Sequence, residues 1–270
     1  MHAPLLTAIV HGRSVRYLDS DGTSDAPTLV LIHAFPLGVQ MWEPQHSAFN
    51  GWRVVVPALP GFDGSDGADS GSMEDFARHV NGLLDHLRVE RAVICGLSLG
   101  GYTTFRMIRQ RPDRASALIL ADTRCGADTE DARAARFRML GILAEKGPAG
   151  VFEEMRPKLV GATTHASRPD VLEKLRSQME SQSSAAVEGA IRAMLGRPDS
   201  TSLLSSIKVP TLVVVGEQDA LTPAAESERM QAGIEGARLV RIPRAGHMSN
   251  MEDPAAFNAA VSAFLATLTT

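Results

Sequence analysis

Hydrophobic residues recur along this chain in two alternating patterns. Unbroken apolar runs, at residues 28–32, 53–56, 92–97, 117–121 and 211–215, are separated by longer stretches whose apolar positions fall three and four apart. A strand buried on both faces carries the first pattern and an amphipathic helix the second. The helical spacing is clearest at Phe76, Val80, Leu83, Leu84 and Leu87, introduced by Ser72 with Asp75 three residues on, close to a capping box. Residues 7–11 and 14–19 predict a hairpin turned at Gly12-Arg13, and 238–242 a last strand. Further helices are expected at 41–49, 102–111, 223–232 and 254–268, and loops rich in turn formers at 20–27 and 57–71.

Strands alternating with helices predict an α/β architecture, a mostly parallel doubly wound sheet of about eight strands. The alternation lapses once. Residues 125–205 show no strand but four helical stretches, at 131–145, 150–159, 169–179 and 184–195, broken at Gly147-Pro148 and Gly196-Arg197-Pro198. The expected organisation is therefore a core of residues 1–124 and 206–270 with a helical cap, 125–205, inserted between two strands and lying over the carboxyl end of the sheet.

Composition narrows the partners. The chain has 270 residues, 44% of them hydrophobic, so it can bury a sizeable core. A formal charge of −4 offers no basic footprint for nucleic acid. No apolar run approaches the roughly 20 residues that span a bilayer. The opening Met1-His2-Ala3-Pro4 lacks the charged and apolar regions of a secretory leader. Cys95 and Cys125 form neither a metal spacing nor a disulfide framework, and Cys95 reads as a small buried hydrophobe. The setting expected is cytoplasmic, for a monomer or small homo-oligomer that needs no metal or cofactor.

The chemistry is expected at strand ends, because open parallel sheets carry their active residues in loops beyond the carboxyl ends of the strands. The run at 92–97 ends in Gly96-Leu97-Ser98-Leu99-Gly100, a Gly-x-Ser-x-Gly turn into a helix that would hold Ser98 exposed in strained backbone geometry. Gly216-Glu217-Gln218-Asp219 follows the strand at 211–215, Ala245-Gly246-His247 follows 238–242, and His33-Ala34-Phe35 follows 28–32. A serine hydroxyl needs a base to become a nucleophile at neutral pH, and histidine suits that task. A carboxylate then fixes the imidazole tautomer. The residues alone leave Asp122, Glu217 and Asp219 open as that carboxylate. Backbone N–H groups of Leu99 and Phe35 are the expected oxyanion donors, each worth about 3 kcal/mol in such sites.

These segments together resemble the α/β-hydrolase superfamily, its carboxylesterase and enol-lactonase-like branch, over essentially the whole chain. His33-Ala34-Phe35-Pro36 is similar to the family's His-Gly-x-Pro oxyanion loop, and Met41-Trp42-Glu43-Pro44-Gln45 to a stretch of enol-lactonases and related esterases. Pro60-Gly61-Phe62-Asp63-Gly64-Ser65 resembles the family's glycine-rich turn. The segment from Gly216 to Pro223 resembles the one that carries the triad acid, and Ala245-Gly246-His247-Met248 the one that carries the histidine. The resemblance implies a Ser98/Asp219/His247 triad acting on a small-molecule ester of short to medium acyl chain through an acyl-enzyme. Lactone opening, perhydrolysis and carbon–carbon bond hydrolysis use the same triad, and a non-catalytic small-molecule receptor can share the fold. Two positions depart from the family pattern: Ala34 replaces the common glycine, and Pro57-Ala58 stands where many relatives carry an aspartate.

Other residues carry lesser expectations. His33 is expected to brace the oxyanion loop. Trp42, Met139, Met155 and Phe35 are candidates for the acyl pocket, with His33 beside them. Arg124 and Arg133 are the one hint of an acidic substrate, against the plainer expectation of surface or ion-paired arginines. His79 and His86, seven apart on one helix, read as a solvated face, and His165 as surface.

Overall fold

The computed structural model describes residues 4–20, 25–67 and 71–268. The opening residues 1–3, positions 21–24 of the first expected loop and 68–70 of the second lie outside the described residues.

All eight expected strands form one sheet. They are β1 (Leu6–Val10), β2 (Arg13–Asp19), β3 (Thr28–Ile32), β4 (Arg53–Pro57), β5 (Ala92–Leu97), β6 (Ala115–Ala121), β7 (Thr211–Gly216) and β8 (Arg238–Ile242). Their spatial order is β1-β2-β4-β3-β5-β6-β7-β8. β1 and β2 pair antiparallel, as do β2 and β4, and every later pairing is parallel. The hairpin turn sits one residue earlier than expected, at His11 (φ 50°) and Gly12 (φ 79°), with Val10 and Arg13 already paired and both loop residues at the positive φ of a type I′ turn. β3, β4, β5 and β7 are buried along their whole length, which is why they read as continuous apolar runs.

The helices follow the pattern with two kinds of difference. The first expected helix is short: α1 (Glu43–His46) carries Pro44 in its first turn and ends well before Phe49. α2 (Met73–His86) starts in a full capping box, Asp75 N–H donating to Ser72 Oγ and Ser72 N–H to Asp75 Oδ2. α3 (Leu99–Gln110) begins directly after Ser98. Between β6 and β7 stand α4 (Glu130–Leu159), α5 (Ala162–Ser167), α6 (Pro169–Glu180) and α7 (Ser184–Leu195). α4 is broken at Gly147 (φ 66°), where the Gly-Pro pair predicted an interruption. The chain closes with α8 (Ala224–Gly233), α9 (Ser249–Glu252) and α10 (Pro254–Ala266). α5 and α9 were not expected. Each is too short to show a hydrophobic period, and both are held by one carboxylate, as the site shows.

Among the described residues, no helix is long and apolar enough to cross a membrane.

Candidate active site

The turn from β5 into α3 holds Ser98 at φ 53° and ψ −110°, a conformation that L-residues adopt only under constraint. The constraint is close packing. A Cβ on Gly96 would collide with the Gly100 carbonyl, and one on Gly100 with the Ile32 carbonyl of β3, so only glycine lets strand and helix approach this far. Ser98 N–H donates to Ala121 O at 3.0 Å, which anchors the turn to the end of β6. The side chain faces a cavity of about 410 Å³ that also contains Phe35, Tyr102, Met139, Met155, Met194 and His247.

Asp219 and His247 meet at the ends of β7 and β8. His247 Nδ1 lies 2.9 Å from Asp219 Oδ2. That carboxylate is further held by Thr222 Oγ1, donating to Oδ2 at 2.6 Å, and by the N–H groups of Leu221 and Thr222, donating to Oδ1 at 2.8 and 2.9 Å. Burial opposes the charge on Asp219, but the imidazole beside it and these hydrogen bonds outweigh burial and hold the carboxyl below its ordinary range. With Nδ1 engaged, Nε2 of His247 is the nitrogen left for chemistry. Asp219 and His247 are 7% and 3% exposed, so their pairing is screened from bulk water.

Asp122, the rival carboxylate, lies at the end of β6 with a different environment. Its oxygens accept from Gly216 N–H at 2.8 Å and from Ser249 Oγ. Burial first, then the neighbouring charge of Asp219, pushes its carboxyl well above the usual carboxylate range. It bonds to the loop before Asp219, not to His247. Glu217, the third option, is exposed. Cys95, also buried, has its thiol pushed up by burial and by Asp122.

The loop after β3 is braced from below. Leu59 N–H donates to His33 Nε2 at 2.9 Å, so Nδ1 carries the ring proton and faces Ala34 O at 3.0 Å. Burial holds His33 below the usual histidine range, in keeping with a neutral ring. Ala34 N–H is turned toward Met41 Sδ. Phe35 N–H takes no intramolecular partner among the described residues, and Leu99 N–H, first in α3, has no acceptor one turn back.

The remaining candidates divide. Met139 and Met155 line the cavity. Trp42 and His33 do not: both are fully buried, Trp42 against Phe257 and His33 edge-on to Phe62. Their aromatic or polar character suggested a pocket, whereas a position inside the core explains them. Arg124 lines the cavity, but Arg133 turns away to Leu195 O. His79 is not on a solvated face; its Nε2 lies 3.0 Å from Ala58 O and burial lowers its pKa to about 4, while His86 is exposed.

Sequence reasoning missed Glu252. Its carboxylate accepts from Gly246 and Met248 N–H on either side of His247, and from Gly161 N–H and Thr164 Oγ1 at the start of α5. One buried charge thus ties the histidine loop to the helical insertion. A lone glutamate five residues after His247 carries no signal of this, because two of its four partners lie far away in sequence, at Gly161 and Thr164.

Residues 27–254 match the alpha/beta hydrolase fold family. The chain belongs to that family. Its fold is similar to that of a thermophilic esterase from Thermogutta terrifontis, in a malate-bound structure, at 35% identity and a TM-score of 0.92, covering 99% of this chain and 100% of that one. It is also similar to the enol-lactonase from Burkholderia xenovorans LB400, at 26% identity and a TM-score of 0.89 over 97% and 100% of the two chains. In sequence it is 27% identical to 3-oxoadipate enol-lactonase 2 of Acinetobacter baylyi over 246 residues, 90% of each chain. The hydrolase relatives cover nearly the whole length, the helical insertion included.

Proposed function

We propose that this alpha/beta hydrolase cleaves carboxylic esters of short to medium acyl chain through an acyl-enzyme on Ser98. The observation that carries the reading is the 2.9 Å contact between His247 and Asp219, with His247 and Ser98 opening into one cavity. Ser98 Oγ attacks the ester carbonyl while His247 Nε2 takes its proton. Asp219 holds the imidazole tautomer and stabilises the imidazolium. The tetrahedral oxyanion lies against the N–H groups of Phe35 and Leu99, and the positive end of α3 favours the same charge. Collapse expels the alcohol with the proton from His247. Water, deprotonated by His247, then attacks the acyl carbon and returns Ser98 with its hydrogen.

Residues 125–205 act in this reading as a cap, with Met139, Met155 and Met194 supplying an adaptable apolar wall for the acyl chain. A second reading, opening of a lactone, uses identical steps with the alcohol retained on the acyl group; the enol-lactonase relatives support it.

The test is turnover of p-nitrophenyl acetate, butyrate, octanoate and palmitate and of an enol-lactone, each beside Ser98→Ala. Ser98-dependent cleavage of the shorter esters is the expected result. Turnover that survives Ser98→Ala removes the scheme, and rapid lactone opening with poor ester cleavage promotes the second reading.

A further inference from the structure

The wall of the Ser98 cavity carries more positive charge than its neighbours can balance. Arg124, Arg136, Arg138 and Lys158 line it, against Asp131 alone among acids. Behind them the side chain of Asp128, 2% exposed, receives three guanidiniums: Arg124 at 3.3 Å, Arg197 at 2.9 Å, and Arg136. Burial opposes its charge, yet Arg136 and Arg197 hold the Asp128 carboxyl below its ordinary range, so it contributes one full negative charge and no more. Glu226 acts on Arg124 electrostatically without forming an ion pair with it. The lining itself thus carries four cations and one carboxylate, in a chain whose overall charge is −4.

Two of these arginines have different degrees of freedom. Arg197 is spent, donating to Gly126 O and to Asp128 while its guanidinium stacks 3.9 Å over the Tyr102 ring. Arg124 is not. Only its Nη2 reaches Asp128, Tyr102 is its other hydrogen-bonding neighbour, and its side chain stays 20% exposed where that of Arg197 is 3% exposed. The exposed part of the Arg124 guanidinium lines the cavity, where a planar carboxylate can accept a charge-assisted bond from it.

We infer that the site takes esters or lactones bearing a carboxylate, which Arg124 binds from the cavity wall with Arg136 beside it. Arg138 and Lys158, exposed at the rim, draw the anion in. The inference deepens the ester-hydrolase reading and rests on it for the reacting carbonyl, but the anion subsite is separately observable.

The test compares monoethyl adipate with ethyl hexanoate, which differ in whether the acyl chain ends in a carboxylate or a methyl group. Expected is a kcat/KM roughly tenfold higher for the monoester at low ionic strength, shrinking as salt is added. Arg124→Gln should remove most of that ratio and Arg124→Lys should restore part of it. Equal or better turnover of ethyl hexanoate by the unmodified protein overturns the inference, with no variant needed; so does an Arg124→Gln enzyme that loses both substrates by the same factor. Calorimetry on the Ser98→Ala protein separates the two readings. Adipate binding that Arg124→Gln abolishes supports the anion subsite even where no ester is turned over, and absence of adipate binding overturns it even where neutral esters are cleaved.

Discussion

Glu252 Oε2 accepts the backbone N–H of Gly161 at 2.8 Å, joining the end of α9 to the residue that precedes α5. Both carboxylate oxygens are fully committed, since Thr164 Oγ1 shares Oε2 and the N–H groups of Gly246 and Met248 share Oε1. Glu252→Ala would leave four donors short of an acceptor in a buried place. The expected loss is about 2–4 kcal/mol of unfolding free energy, measured by urea titration. Glu252→Gln should recover little, because its amide nitrogen would face two of the same donors. Unchanged stability in both variants would mean that water or backbone relaxation replaces the carboxylate at no cost.

Asp219 and Asp122 should separate sharply on substitution. Asp219→Asn removes the acceptor that orients His247 and is expected to lower kcat by roughly 10³-fold or more. Asp122 is held toward its protonated form, so asparagine is a near match for it, able to accept from Gly216 N–H and to donate toward Ser249. Asp122→Asn should cost less than about tenfold in kcat. Steady-state kinetics on both variants decide it, and the reverse ranking would move the acid to β6.

The separation of those two aspartates marks where the sequence stopped being legible. Each strand was visible as an apolar run or an alternation, because burial on one or both faces leaves that trace locally. The glycines at 96 and 100 were equally visible, since a close approach of strand and helix tolerates nothing larger. Which carboxylate meets His247 leaves no periodic mark, because it depends on the relative reach of three loops, and only the resemblance of the segment from Gly216 to Pro223 to a triad-acid segment pointed to Asp219. Trp42 shows the complementary failure: its identity suits a pocket, and only packing against Phe257 reveals it as core. Glu252 and α5 failed together, each drawing its structure from the other across a wide gap in sequence.

Acid should destabilise the fold through His79. Burial lowers its folded pKa to about 4, from an ordinary value of 6.5. Above pH 6.5 the ring is neutral whether folded or not, and stability is unaffected. As pH falls below that value the unfolded chain takes up a proton that the folded one refuses, so stability drops until the folded pKa of about 4 is reached. The loss expected from this one ring is on the order of 3 kcal/mol. His33, also held low by burial, contributes in the same direction. Urea midpoints measured from pH 7.5 to 4 should show the fall, and His79→Gln should flatten it relative to the unmodified protein. A curve indifferent to His79→Gln would assign the acid sensitivity to other groups.

The methionines that line the cavity give the proposed acyl site a measurable dimension. Met139 and Met155 stand on either side of the Gly147 break in α4, so the two halves of that helix each place one flexible thioether in the same cavity as Ser98. Shortening either side chain to alanine removes apolar volume from the wall without touching Ser98, His247 or Asp219. Both residues are partly exposed, so the cost to stability should be well below the 2–5 kcal/mol of a fully buried Met→Ala change. Met155→Ala and Met139→Ala are therefore expected to keep the fold and to move the preferred p-nitrophenyl ester toward longer chains, with kcat/KM rising a few-fold for octanoate relative to butyrate. A profile that shifts equally for all chain lengths would place the acyl group elsewhere in the cavity, and the alcohol portion of the ester would then be the part that lies against α4.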